Sequence, residues 1–230
     1  MMSNSAPLPE GTVIMADDQY AGRGQQQNTW YAEPGKNLTV SILLRPDFLA
    51  PDRQFLLNMA VSVAIQDALK GITGHGLSIK WPNDIYYKDK KIGGILIENL
   101  ISGSKIKSSI VGIGINVNQR VFKAGILDDA GSIYQILHED VNLIELLAQI
   151  CSHIEAAYLK LRTGTYPELR DVYLQYLYQF KVKAHYRQNG EIFEAEIVDV
   201  SDKGILSVKT RDGVIPYNFK EIEFIKPQAQ

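Results

Sequence analysis

Between Pro51 and Lys70 the chain carries Phe55, Leu56, Leu57, Met59, Ala60, Val61, Val63, Ala64, Ile65, Ala68 and Leu69, so a helix over these residues is apolar almost all round. Such a helix has no face to leave in water and must be packed on both sides. Pro51 and Asp52 suit its first turn, and the glycines of 71–76 end it. A chain of 230 residues, 45% of them hydrophobic, can build the surrounding core as one large domain, or one large and one small. At this spacing Phe55 and Met59 read as core residues.

The elements around that helix follow from pattern. Residues 12–16 and 39–44 read as strands, the second ended by Arg45-Pro46. The apolar runs 79–81 and 92–97, flanking the polar connector Lys88-Asp89-Lys90, read as the two arms of a β-hairpin. Residues 109–117 form another strand. Asn142, with Glu145 at capping-box spacing, opens a helix to about Thr163, and a further helix spans 166–179. From Phe180 the period changes to two. Five short strands, with turns at Asn189-Gly190, Lys203-Gly204 and Asp212-Gly213, predict a small SH3-like barrel. The expected organisation is an α+β chain with a larger unit at 1–179 and the barrel at 180–230.

Composition narrows the function. A net charge of −2 without any run of five like charges argues against a general nucleic-acid or membrane-surface binder, and basic and acidic residues balance in the barrel. No apolar run reaches the roughly 18–20 residues of a bilayer span, and the first ten residues lack the pattern of a signal peptide. A cytoplasmic protein is expected. The single cysteine, Cys151, falls on the apolar stripe of the 142–163 helix and reads as packing rather than as a nucleophile. The four histidines lack metal-ligand spacing, and the phosphate loops GxGxxG and GxxxxGK[ST] are missing.

Chemistry gathers in four stretches. Residues 19–30 form a polar loop in which Gly22 and Gly24 allow close backbone approach and Arg23 adds a positive charge; alone it could equally be an ordinary surface loop. Lys80-Trp81-Pro82-Asn83-Asp84 and Lys91-Ile92-Gly93-Gly94-Ile95-Leu96-Ile97-Glu98 put lysines and an Asn-Asp pair at the hairpin ends. Gly112 and Gly114 alternate along their strand, leaving room for something flat, or for a bulge or tight packing. Asn116 and Asn118 close that strand with amides that both donate and accept.

These four stretches, in this order and followed by a small barrel, resemble the biotin protein ligases, in the form without an N-terminal DNA-binding domain. The resemblance covers nearly the whole chain. It implies a catalytic domain of the class II aminoacyl-tRNA synthetase and biotinyl protein ligase type, a mixed sheet with helices. It also implies two half-reactions, in which biotin and ATP give biotinyl-5′-AMP and a lysine of a biotin carboxyl carrier domain takes the biotinyl group. In that scheme Lys91 is the catalytic cation bridging the biotin carboxylate and the α-phosphate. Gln19, Gly22, Arg23, Gly24, Gln25, Gly94 and Gly112 would line the biotin side, Trp30, Asn83 and Asn116 the ATP side, and Mg2+ would accompany the phosphates. A homodimer through sheet edges fits the resemblance; nucleic-acid and membrane partners do not. Two other readings stand beside it: a lipoate or octanoate ligase or transferase on the same fold, and a biotin-binding sensor without turnover.

The chain departs from the family pattern twice. The family's strand and Ser-Thr-Asn helix fall before the position of Gly11, and Ser3-Asn4-Ser5 takes no role from them. Many members also have arginines and a glycine where Gln25-Gln26-Gln27-Asn28 stands, and an amide binds an anion more weakly than a guanidinium. Biotinyl-AMP should therefore dissociate readily, and Gln25→Arg should slow its release; a stopped-flow chase showing equal rates would count against this.

Overall fold

The computed structural model describes residues 8–24, 29–122 and 129–225. The all-apolar segment is a short 3-10 turn, Pro51–Arg53, running into helix α1, Phe55–Thr73, which ends at Gly74 with φ +70°. By length and composition Pro51–Thr73 is long and apolar enough to cross a membrane, contrary to the sequence expectation. Here it is a core helix: Leu56, Met59, Ile65 and Leu69 are fully buried, along with the polar Ser62 and Gln66.

One side of α1 faces a six-stranded sheet built from β1 (Val13–Met15), β4 (Leu38–Leu44), β5 (Leu77–Lys80), β6 (Asp84–Tyr87), β7 (Lys90–Ser102) and β8 (Lys105–Ile115), in the order β1-β4-β8-β7-β6-β5. Two helices cover the other side: α3 (Leu143–Arg162) and α4 (Tyr166–Gln175). The named strand pairs are antiparallel, and parallel bridges at Ile79–Leu177 and Lys91–Ala130 make the arrangement mixed at its margins. The remaining short elements of this part are β2 (Gly22–Arg23), paired with β3 (Thr29–Trp30), and helix α2 (Ile133–Leu137).

Alternation on the strands assigns the faces. Leu38, Val40, Ile42 and Leu44 of β4 and Val111, Ile113 and Ile115 of β8 are buried toward α1, which leaves Thr39, Ser41, Gly112 and Gly114 on the opposite face. The expected two-armed hairpin needs correction. Residues 84–87 are a strand of their own, so runs 79–81 and 92–97 do not pair; β6 stands between them and pairs with both. Ile85 and Tyr86 are buried, and the connector Lys88-Asp89-Lys90 turns β6 into β7.

The expected caps on α3 are present. Asn142 accepts from the backbone N–H groups of Ile144 and Glu145, and its Nδ2 donates to Glu145 Oε1 at 3.1 Å. Cys151 is half-buried against the core on this helix, and burial pushes its thiol pKa up.

The C-terminal strands β9 (Lys183–Gln188), β10 (Glu191–Val200), β11 (Leu206–Thr210), β12 (Gly213–Tyr217) and β13 (Glu223–Phe224) form one antiparallel sheet, ordered β12-β11-β10-β9-β13. It is seated on the larger unit by an aromatic joint. Trp81 Nε1 donates to the Gly204 carbonyl at 3.0 Å, and Phe219 lies 5.2 Å from Trp81 and 6.0 Å from Phe55, ring centroid to ring centroid. Ion pairs Lys203–Asp52 and Arg170–Asp199 flank the joint, and the buried residues of both sheets form one cluster. Gly204 has φ +84°, and a Cβ there would come within 2.7 Å of the Phe55 ring. Gly204→Ala should therefore lower unfolding stability by about 1–3 kcal/mol through overpacking, read as a lower urea midpoint; an unchanged midpoint would mean the joint tolerates the methyl.

Candidate active site

The face of the main sheet turned away from α1 holds an open cleft of about 350 Å3. Its floor is set by register. Thr39 of β4 stands opposite Gly114 of β8, Gly114 opposite Gly94 of β7, and Gly94 opposite Asp84 of β6. One row of four strands thus presents two bare glycines between a threonine and an aspartate. The next row reads Ser41, Gly112 and Leu96, and the one beyond it pairs Ile110 with Glu98.

Lys91 enters this face through a bulge. Gly94, Leu96 and Glu98 alternate on the cleft side, so counting back by twos arrives at Ile92, not at Lys91. The register between β6 and β7 shifts between Ile85 and Tyr86: Ile85 pairs with Gly93, but Tyr86 pairs with Lys91. The extra residue is Ile92, which is buried in the core, and the bulge re-aims Lys91 onto the glycine face. Lys91 Nζ lies 2.6 Å from Asp84 Oδ1. A Cβ on Gly94 would meet both partners at 3.3–3.4 Å, so the glycine leaves their space open. The Lys91 backbone is also fixed, its N–H donating to Asp129 O and its carbonyl accepting from Gly131 N–H, both at 2.8 Å.

Gln19, Arg23, Gly24, Thr29 and Trp30 line the cleft from the side of β2 and β3. Gly22 pairs with Trp30, and a Cβ at Gly22 would fall 2.3 Å from the Trp30 carbonyl and 2.9 Å from the Gln19 amide oxygen; only a glycine fits. Arg23 makes a two-pronged ion pair with Glu98 at 3.0 and 2.8 Å. The flat object predicted over the glycine strand is in this structure Trp30 itself: a Cβ on Gly114 would lie 2.5–2.9 Å from its indole atoms. Trp30 Nε1 is buried without a partner among the described residues, and Lys91 Nζ stands 6.0 Å from the ring centroid.

Of the sequence-derived candidates, Gln19, Arg23, Gly24, Trp30, Asn83, Lys91, Gly94 and Gly112 all line this cleft. Gly22 lies behind it as the close-packing residue of β2. Asn83 is buried, its Nδ2 donating to Ile95 O, so that amide is engaged within the sheet. Asn116 does not line the cleft; its Nδ2 donates to Gly131 O at 2.9 Å, bracing the segment that holds Lys91, and its Oδ1 lacks a partner among the described residues. Asn118 is engaged in both directions by the Val141 backbone. Gln25 lies outside the described residues, as do Ser3-Asn4-Ser5. Asp84, Glu98 and Lys220, the last in the turn between β12 and β13, are further wall residues.

The cleft thus combines a glycine floor, an indole cover and an aimed ammonium. The sequence model of the Biotin/lipoate A/B protein ligase family matches residues 2–116. The "Bifunctional ligase/repressor BirA" of Bacillus spizizenii is 30% identical over 225 residues, covering 97% of this chain and 68% of that protein. A "Biotin--[acetyl-CoA-carboxylase] ligase" of Paracoccus denitrificans is 36% identical over 117 residues, 49% of this chain and 47% of that one. The solved structure of the Aquifex aeolicus biotin protein ligase in complex with biotin and ATP superposes with a TM-score of 0.81 at 28% identity, covering 96% of this chain and 92% of that one. The chain belongs to the biotin/lipoate protein ligase family and has the α+β fold of its biotin ligases.

A methyl at Gly114 must displace the Trp30 indole. Gly114→Ala should therefore raise acrylamide quenching of tryptophan fluorescence with little change in Tm, and Trp30→Phe should remove that increase; unchanged quenching would show that the indole does not rest on Gly114.

Proposed function

We infer that this chain is an ATP-dependent biotin protein ligase, which activates biotin as biotinyl-5′-AMP and passes it to a carrier-domain lysine. The observation that carries the reading is Lys91, aimed by a bulge over bare glycines beside Asp84, in a chain whose fold superposes on a relative solved with biotin and ATP. In the first step a biotin carboxylate oxygen attacks the α-phosphorus and the bond to the β-phosphate breaks, releasing pyrophosphate. Two anions must meet there, and charge builds on the equatorial oxygens. Lys91 is the group that stabilises them, exchanging Asp84 for the incoming oxygens. In the second step the carrier amine attacks the acyl carbon, the bond to the phosphate oxygen breaks and AMP leaves. The enzyme supplies position rather than a nucleophile, and Asp84, freed from Lys91, stands where the proton of the amine can be taken up.

The remaining candidates take their roles from where they stand. Gln19, Arg23 and Gly24, with Gly94 and Gly112 beneath, form the biotin side; Gln25 is assigned to it by the resemblance alone and lies outside the described residues. Trp30 and Asn83 form the nucleotide side, and Asn116 supports Lys91 from behind. The Nε1 of Trp30, without a partner among the described residues, marks the indole as a group that finds one when ligands enter. Asp84 and Glu98 are each paired with a cation, and among the described residues no group of three His, Cys, Asp or Glu could hold a metal ion. Mg2+ would accompany the nucleotide phosphates and supply counter-charge there. The acceptor is a carrier domain of the acetyl-CoA carboxylase kind. A homodimer through β1 fits its place at the sheet edge, where Val13 and Ile14 are exposed.

The octanoyl-transferase alternative needs a nucleophilic cysteine. Cys151 lies on α3, outside the cleft wall, with its thiol pKa raised by burial. Incubation with biotin, ATP, Mg2+ and a carrier domain should add one biotinyl mass to the carrier. Biotin binding without transfer would favour the sensor, and labelling by lipoate in place of biotin the lipoate ligase. Lys91→Ala should keep the fold by circular dichroism and reduce adenylate formation at least about 100-fold; a fully active variant would remove Lys91 from the mechanism.

A further inference from the structure

Helix α1 is apolar almost all round, yet Asn58, Ser62 and Gln66 are buried along it at i, i+4 and i+8, on one stripe of the helix. Ser62 Oγ and Gln66 Oε1 find no partner among the described residues. Asn58 has one: its Nδ2 donates to the Pro82 carbonyl at 2.8 Å. The same carbonyl accepts the hydroxyl of Tyr173, fully buried on α4, at 3.3 Å. Donors from two helices thus converge on one acceptor, in the turn between β5 and β6. Asparagine is a poor helix former and its amide is desolvated here, so alanine would suit α1 better on propensity alone. What the asparagine adds is the bond to the turn.

That turn leads straight to the charged pair of the cleft. Asn83, buried, is stapled to β7 in both directions: its carbonyl accepts the Ile95 N–H at 3.0 Å, and its Nδ2 donates to the Ile95 carbonyl. Asp84 then stands opposite Gly94, where its Oδ1 meets Lys91 Nζ at 2.6 Å. The ammonium is set by the bulge and by the bonds of Asp129 and Gly131 to the Lys91 backbone. The carboxylate is set from the other side, through the Pro82–Asn83 peptide that Asn58 and Tyr173 hold. Trp81, one residue earlier, is engaged with the C-terminal sheet, so the helix bonds fix the chain between that joint and Asp84.

We propose that Asn58 is a positioning residue: from inside the core it holds the Pro82 carbonyl and so sets where Asp84 meets Lys91. The use of that setting in adenylate formation rests on the ligase reading; the setting itself does not. Asn58 touches no substrate, since it is buried on α1 and is not a cleft-wall residue. It acts through Asp84, and a small displacement of a reacting group costs rate rather than affinity.

Asn58→Ala separates this from a role in folding. Pro82 keeps its bond from Tyr173, so no buried acceptor is orphaned, and alanine favours the helix; Tm should change little. In single turnovers at saturating biotin and ATP, biotinyl-AMP formation should fall about tenfold with KM for both unchanged. Tyr173→Phe, which removes the longer bond and keeps the shape, should give a smaller loss of the same kind, and it decides the matter if Asn58→Ala folds poorly. In an Asp84→Ala background, Asn58→Ala should cost nothing further. An unchanged rate in either single variant, a loss no larger than the loss of folded protein, or full additivity with Asp84→Ala would overturn the proposal. A second readout needs no ligation. Brief acetylation of the full chain with dilute acetic anhydride, read by peptide mass spectrometry, should label Lys91 about threefold faster in Asn58→Ala than in wild type, relative to exposed Lys105. Equal ratios would overturn the proposal as well. If wild type forms no biotinyl-AMP, the ligase reading fails, and the acetylation ratio alone decides whether Asn58 sets the pair.

Discussion

A strand that alternates strictly cannot show Lys91 and Gly94 on one face, because they are three residues apart. The bulge at Ile92 removes that conflict: it keeps Ile92 and Ile95 in the core and turns Lys91 over the glycine row. Everything charged in the cleft is arranged around this turn. Asp84 reaches Lys91 because β6 brings it opposite Gly94, and Gly94 reserves the space between them. The segment from Asp129 to Gly131 bonds the Lys91 backbone on both sides, and buried Asn116 holds that segment in turn. An ammonium fixed in this way has little reorganisation left to undergo when charge develops beside it.

The second dependency runs between the two sheets. Trp81 is at once the end of the β5 turn, the hydrogen-bond donor to Gly204 and the seat of Phe219. Its neighbour Pro82, joined to it by a cis peptide, has its carbonyl bonded by Asn58 of α1 and Tyr173 of α4. The stretch that supplies Asn83 and Asp84 to the cleft is therefore the same stretch that receives the C-terminal sheet. The cleft and the joint between the sheets share one turn.

Much of this was legible in the residues. The buried helix, the Asn142 cap and the five C-terminal strands follow from period and spacing, and eight of the cleft-lining residues from the resemblance to the biotin ligases. What was not legible has identifiable causes. The strand at 84–87 was missed because Asn83-Asp84 and the lysines after Tyr87 resemble a long polar connection, so two short hairpins read as one. The bulge leaves no mark in a strand whose apolar pattern is already dense. Asn116 looked like a ligand residue because an amide at a strand end can serve either a base or a backbone carbonyl, and only the position of Gly131 decides. Lys220 belongs to a different period and a different sheet, and no local pattern connects it to Lys91.

The glycine row also has a consequence for how such a chain can change. Because Gly94, Leu96 and Glu98 share a face with Gly112 and Gly114, the floor is written in parity rather than in any single side chain. Losing one residue within the paired stretch would exchange bare glycines for the isoleucines beside them and fill the cleft with its own core. The register irregularity between Leu100 and Ile101 lies between that stretch and the hairpin tip at Gly103, so an insertion at the tip changes length without changing parity. The tip can drift across descendants while the floor stays in frame.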